Sequence, residues 1–179
     1  MLFRSIANTI MDGGEKHEDA LSIAFRLLLH KEEDVFKKQK ENFRKVIEFT
    51  EKIKKPIVVH CRRASKESVE MLSTSKIKTI VMHSFEAKKS LIKETVDKGY
   101  YFSIPANIVK SPQFQILAEI ANINQIITET DGPWLSPDEE RNEPYKVLEA
   151  VKKIAEIKKF TVEETANSIW LNYQRAYLT

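Results

Sequence analysis

Three short apolar runs in this chain each end on a side chain that can bind a metal. They are Ile57-Val58-Val59-His60-Cys61-Arg62, Thr79-Ile80-Val81-Met82-His83-Ser84 and Ile126-Ile127-Thr128-Glu129-Thr130-Asp131, the last broken by Gly132-Pro133. A short apolar run closed by turn residues reads as a buried strand. In a parallel α/β sheet the residues at the carboxyl end of such a strand face the crevice where ligands bind. His60, His83 and Asp131 therefore occupy matching strand ends, from which they can converge on one point. Imidazole plus carboxylate is a common ligand set for a catalytic divalent metal.

The intervening sequence supports the same architecture. Leu21 to Leu29 reads as a strand and Asp34 to Lys54 as a long amphipathic helix, with Phe36, Phe43, Val46, Ile47, Thr50 and Ile53 on one face. Pro56 ends that helix, because the residue before a proline is pushed out of the helical region. Ser65 is placed to cap a helix running to about Ser73. A further helix over Ala87 to Lys98 closes at Gly99. Tyr100 to Ile104 is a strand, Ser111-Pro112 starts the next helix, and strand 126–130 follows. Pro144 starts a helix to about Lys158, and Thr161 to Glu164 fits a capping box. Strand and helix alternate about five times, which implies a parallel sheet of β/α units.

At 179 residues the chain suits a single domain over 1–179, with an irregular N-terminal segment over 1–20. Its hydrophobic share is 42% and its net charge only +3, without a dense basic block, so a polyanionic partner is permitted but not demanded. The single cysteine, Cys61, forms no internal disulfide, and the start resembles no secretion signal. No apolar run approaches a membrane span. These features predict a cytoplasmic protein without a membrane partner.

Alternation along strand 57–61 sends His60 and Cys61 to opposite faces and turns Arg62 back to the His60 side. Cys61 is then a small buried hydrophobe and not a nucleophile. A divalent metal held by His60, His83 and Asp131 would make bound water more acidic and polarise a phosphoryl or carbonyl oxygen. Asp131 and Glu129 are the candidate catalytic residues, Glu129 as a proton carrier. Arg62 and Asn107, each near a strand end, are the candidate substrate-binding residues. His17 and His30 read as surface or structural histidines. On pattern alone the alternative stays open, in which each strand-end residue is a local accident.

The blocks Pro56 to Arg62, Val81 to Phe85, Glu129 to Pro133 and Arg141-Asn142-Glu143-Pro144, in that order, resemble the TatD family of metal-dependent hydrolases, also described as TatD-type deoxyribonucleases. The resemblance runs from about Leu21 to the C-terminus. It implies a (β/α)-barrel, a two-metal centre and hydrolysis of DNA phosphodiester bonds. It also implies that His60 and His83 bind one metal and Asp131 the other. Family members open with a His-x-His pair, and no His-x-His occurs here. The family's bridging glutamate is also missing: Ser22 to His30 contains no carboxylate.

A full barrel takes roughly 250 residues, so the expectation is an incomplete, N-terminally shortened (β/α)-barrel. Such a chain would hold fewer metals than the family's two, of unknown identity among Zn, Mg and Mn. A shortened barrel leaves sheet edges to cover, which predicts self-association as a homo-oligomer. The alternative to a hydrolase is a non-catalytic pseudoenzyme, a binding or assembly module that keeps the barrel remnant.

Overall fold

A computed structural model describes residues 23–28 and 33–178 of the chain. The expectations for the segment 1–20, His17 and His30 lie outside the described residues. The chain divides into two compact units, Met1–Met82 and His83–Thr179.

In the first unit, strand β1 (Ile23–Leu28) runs parallel to β2 (Ile57–Arg62), with Arg26 opposite His60 and Leu28 opposite Arg62. Between them runs helix α1 (Glu33–Ile53), which buries Phe43, Val46, Ile47 and Thr50. The three- and four-residue spacing of those positions explains the single apolar stripe. Phe36 falls short of that core: it is half-buried, with the Lys40 ammonium 4.9 Å from its ring centre. Lys54 turns into the left-handed region (φ 55) just before Lys55-Pro56, and α1 stops there.

Burial along β2 alternates as expected. Ile57, Val59 and Cys61 are buried, Val58 and His60 half-buried and Arg62 exposed. The Cys61 thiol reaches Ser65 of helix α2 (Ser65–Ser73) at 3.6 Å, so it does face the helix layer. Ser65 does not cap α2, however. Ala64 is the capping residue, no side chain caps the turn, and Ser65 is already helical. The Ile57 N–H bonds the Thr79 carbonyl at 3.0 Å, tying β2 to the lead-in of β3 (Ile80–His83). The two-unit boundary falls inside β3, before His83.

In the second unit, β4 (Tyr101–Pro105) and β5 (Ile126–Glu129) are parallel, with Ser103 opposite Ile127 and Pro105 opposite Glu129. Helix α3 (Lys89–Asp97) precedes β4, and Gly99 (φ +78) follows it in the left-handed conformation that suits a residue without Cβ. A 3-10 turn over Ala106–Val109, absent from the sequence reading, separates β4 from α4 (Pro112–Ile120). Ser111 caps α4 by accepting from the Phe114 N–H.

Helix α5 (Val147–Lys158) follows a 3-10 turn begun by Pro144, and α6 (Val162–Tyr177) opens with the expected capping box between Thr161 and Glu164. Buried amides join these pieces. Gln125 Nε2 donates to the Val96 and Tyr100 carbonyls, and Asn172 Nδ2 donates to the Ile123 and Ile126 carbonyls at 2.7 and 2.8 Å. The second bond fixes α6 against the start of β5, and so helps set where Glu129 and Asp131 lie.

Candidate active site

Two strand ends and the middle of β4 meet around the His83 imidazole. His83 closes β3, and the backbone then bends at Ser84 (φ 47), whose N–H bonds the Ser103 carbonyl at 3.1 Å. Ser103 and Glu129 lie two positions apart across the β4–β5 register and so share a face of the pair. The Ser103 hydroxyl donates to Glu129 Oε2, and the same carboxylate oxygen pairs with His83 Nδ1. Ser103 Oγ also lies 3.4 Å from Nδ1. On the far side of the ring, His83 Nε2 faces Asp131 Oδ1 at 3.8 Å, too long for a hydrogen bond.

Exposure rises along this line. The side chains of His83 and Glu129 are 10% and 14% exposed, and that of Asp131 is 34% exposed. The line is buried at its Glu129 end and opens toward solvent at Asp131. Burial pulls the His83 imidazole down, but the hydrogen bond and charge of Glu129, then the charge of Asp131, outweigh it and His83 ends above its ordinary 6.5. Burial pushes Glu129 up, against the opposing hydrogen bonds from His83 and Ser103. The pair keeps its shared proton to higher pH than either group would alone.

Asp131 owes its position to the loop that follows. Its backbone is left-handed (φ 61), a conformation Asp tolerates better than most residues. The Trp134 N–H returns to the Asp131 carbonyl at 3.0 Å, and the Asn142 N–H bonds the Pro133 carbonyl at 3.2 Å. Asn142 Nδ2 donates to the Thr130 carbonyl and, at 2.6 Å, to the Trp134 carbonyl. One side-chain amide thus holds the chain on both sides of Asp131. Lys146 secures the rest of the loop through Ser136 at 3.3 Å and Asp138 at 2.6 Å.

Serine, histidine and glutamate are the side-chain types of a nucleophilic triad, but their bonding here is not that of one. A nucleophilic serine gives its proton to the imidazole. Ser103 gives it to the carboxylate and is itself 6% exposed. The donor set suits a cation instead. Nε2 and Oδ1 face one another at 3.8 Å, a gap that a divalent ion with bonds of about 2.0–2.2 Å to nitrogen and oxygen can bridge. They supply two donors: among the described residues no group of three or more His, Cys, Asp or Glu side chains is arranged to hold a metal ion.

Of the residues singled out in the sequence, the second unit brings His83, Glu129 and Asp131 together. Asn107 belongs to the same unit, in the 3-10 turn after β4, and its Oδ1 is buried without a hydrogen bond among the described residues. His60 and Arg62 lie on β2 of the first unit, half-buried and exposed. The sequence reading assigned no role to Ser103 or Asn142. Ser103 carried a usable signal, a lone hydroxyl between Phe102 and Ile104 in a buried strand.

Residues 27–178 match the family model described as TatD related DNase. The protein described as Deoxyribonuclease TATDN3 from Homo sapiens is 34% identical over 131 residues, covering 70% of this chain and 48% of its own length. An uncharacterized metal-dependent hydrolase, MJ1582, from Methanocaldococcus jannaschii is 33% identical over 138 residues, covering 76% of this chain and 55% of its own. The chain spans about half the length of these curated relatives.

Among solved structures, the YJJV TatD homolog from Escherichia coli K12 superposes with a TM-score of 0.77 at 15% identity, over 86% of this chain and 62% of its own. A hydrolase TatD family protein from Entamoeba histolytica superposes with 0.73 at 14% identity, over 87% of this chain and 61% of its own. At such identities the likeness speaks for the fold alone. The fold is α/β, an incomplete (β/α)-barrel of the kind found in those hydrolases.

Proposed function

The chain belongs to the TatD-related deoxyribonuclease family, and from that premise we propose that it serves as a metal-dependent hydrolase of DNA phosphodiester bonds. The observation that carries the reading is the opposed pair of His83 Nε2 and Asp131 Oδ1 at 3.8 Å, at the open end of a buried hydrogen-bonded line. An imidazole nitrogen and a carboxylate oxygen facing one another at that distance supply two donors to a cation. His83 and Asp131 would hold a divalent ion there. When bound, such an ion supplies polarisation of a phosphoryl oxygen and a more acidic water.

The protein's own groups do the rest. His83 is held in place and takes no proton from substrate. Asp131, half-exposed, would accept on its second carboxylate oxygen the proton released as water attacks phosphorus and the P–O bond to the leaving alkoxide breaks. Asn107, at the end of β4, would bind the phosphodiester by hydrogen bonds, and Arg62, exposed on β2 of the first unit, offers its charge to a phosphate of the DNA backbone. With Cys61 buried as a free thiol, a reducing compartment such as the cytoplasm suits the protein. No described helix is long and apolar enough to cross a membrane.

A fluorescently labelled DNA substrate with Mg²⁺, Mn²⁺ or Zn²⁺ tests this reading. We expect cleavage with at least one ion, and a loss of about 100-fold or more on His83→Ala or Asp131→Ala, since each removes a first ligand. His60→Ala tests separately the sequence expectation that His60 is a third ligand. A chain that binds DNA and cleaves none with any ion would be a binding module, and the hydrolase reading would fall.

A further inference from the structure

We propose that Trp134 binds a base of the substrate strand: its indole stacks on an unpaired nucleobase next to the phosphodiester that lies at Asp131. The place of the phosphate rests on the proposed hydrolase site, while the base contact rests on the setting of Trp134 itself. The indole is 75% exposed, the highest value among the exposed large apolar side chains of the described residues. Tryptophan contributes most to a fold or an interface when its large ring is buried, and here that contribution is withheld. Single exposed apolar side chains are common on protein surfaces and carry no message by themselves. Trp134 differs in two respects: its backbone is fixed, and it stands beside the site.

The main chain alone does the fixing. The Trp134 N–H donates to the Asp131 carbonyl at 3.0 Å, and the Trp134 carbonyl accepts from Asn142 Nδ2 at 2.6 Å. The first bond closes a turn over 131–134, which brings the Cα atoms of Asp131 and Trp134 within about 7 Å of each other. On either side the backbone passes through the left-handed region, at Asp131 (φ 61) and Leu135 (φ 54), a conformation uncommon for residues with a Cβ. The fold thus uses the backbone of Trp134 and leaves its ring in water. A ring presented on a fixed backbone is a stacking platform, because every nucleobase has a π-face. The chain's other tryptophan gives the contrast. Trp170 on α6 is 55% exposed, but its ring stacks on Tyr173 with centroids 5.7 Å apart. Asn172, two residues on, bonds the Ile126 carbonyl at the start of β5, so Trp170 belongs to the amino end of that strand. Trp134 belongs to the carboxyl end, which it shares with Asp131. A net charge of +3 supplies a modest phosphate attraction, to which a stacked base adds a contribution that salt does not screen.

The test is binding of two labelled strands of equal length, measured by anisotropy with EDTA present. One is a short oligothymidine; the other is an abasic strand that keeps every phosphate and lacks every base. Trp134→Ala should bind oligothymidine about 5- to 100-fold more weakly than the unaltered chain, the range of one stacked base, and bind the abasic strand as before. Trp134→Phe keeps a ring and should retain most of the affinity. In a Trp170→Phe protein Trp134 is the sole indole, and its emission should be quenched by oligothymidine and not by the abasic strand. A Trp134→Ala protein that binds oligothymidine as tightly as the unaltered chain, or that loses both strands alike, overturns the proposal and leaves the hydrolase reading to its cleavage assay. If the loss is confined to oligothymidine and no ion brings about cleavage, the stacking role stands and the hydrolase site falls. A chain that binds neither strand overturns both. Should Trp134→Ala unfold, the quenching in the Trp170→Phe protein decides the matter.

Discussion

Asn142 shows how much of this site depends on a residue that never faces it. It is 3% exposed, and its amide spans Asp131 by bonding the Thr130 and Trp134 carbonyls. Removing it strands two acceptors in part-buried hydrogen bonds, where the full cost of about 1–3 kcal/mol for a buried unsatisfied group is only partly felt. We expect Asn142→Ala to lower unfolding stability by roughly 1–2 kcal/mol, measured by urea titration, and to weaken Zn²⁺ binding as Asp131 loses its placement. Gly132→Ala should act alike, since a Cβ there would sit 2.9 Å from the Asn142 carbonyl oxygen. An Asn142→Ala protein of unchanged stability would show the clamp to be idle. The meeting of His83 and Asp131 was legible in the sequence because a polar side chain at a strand end interrupts an apolar run. Asn142 and Ser103 were not, because their work is hydrogen bonding to groups remote along the chain, which no local period records.

Most element boundaries were legible for the same reason, as periodicity and punctuation are local. Pro56, Gly99, Ser111-Pro112 and the Thr161 box all mark the ends they announce. Ser65 misled because a serine before an apolar stretch fits two neighbouring positions, the cap or the first helical residue, and backbone angles decide between them. The long loop after β5 hid more. Its hold on α5 passes through Lys146, whose side chain is 3% exposed and bonds Asp138 at 2.6 Å.

That pair gives the loop a pH dependence. The Lys146 hydrogen bond, then that of Ser136, lowers Asp138 from an ordinary 3.8 to about 2. A carboxyl depressed in the folded state stabilises that state above its unfolded value, and the contribution is lost as pH falls through the folded value. The loop should therefore hold at pH 4 and above and loosen progressively toward pH 2. Hydrogen exchange across residues 132–146 would show this, and Asp138→Asn should loosen the loop at neutral pH and flatten the response. A loop equally protected at pH 5 and pH 2 would mean that the ion pair does not secure it.

For the molecule as a whole, β/α alternation was enough to indicate parallel strands, while the pairing of distant strands is set by packing that a one-dimensional pattern leaves open. Charge at this scale bears on how DNA would be held. The chain carries 29 Lys and Arg against 26 Asp and Glu, a net +3. On α1 Glu41, Glu48 and Glu51 are interspersed among the basic side chains, which breaks up the positive charge along the helix. Each neutralised phosphate contributes about −0.9 to the slope of log affinity against log salt. With a few phosphate contacts at most, the slope should be shallow, about −2 to −4. Arg62→Ala should flatten it by about 1, if that exposed guanidinium contacts a phosphate. Lys40→Ala should leave it unchanged, as that ammonium is occupied over the Phe36 ring. Anisotropy titrations with EDTA present, from 50 to 300 mM salt, would measure all three proteins without cleavage. A slope near −8, or one indifferent to Arg62, would place the main phosphate contacts on basic side chains other than Arg62.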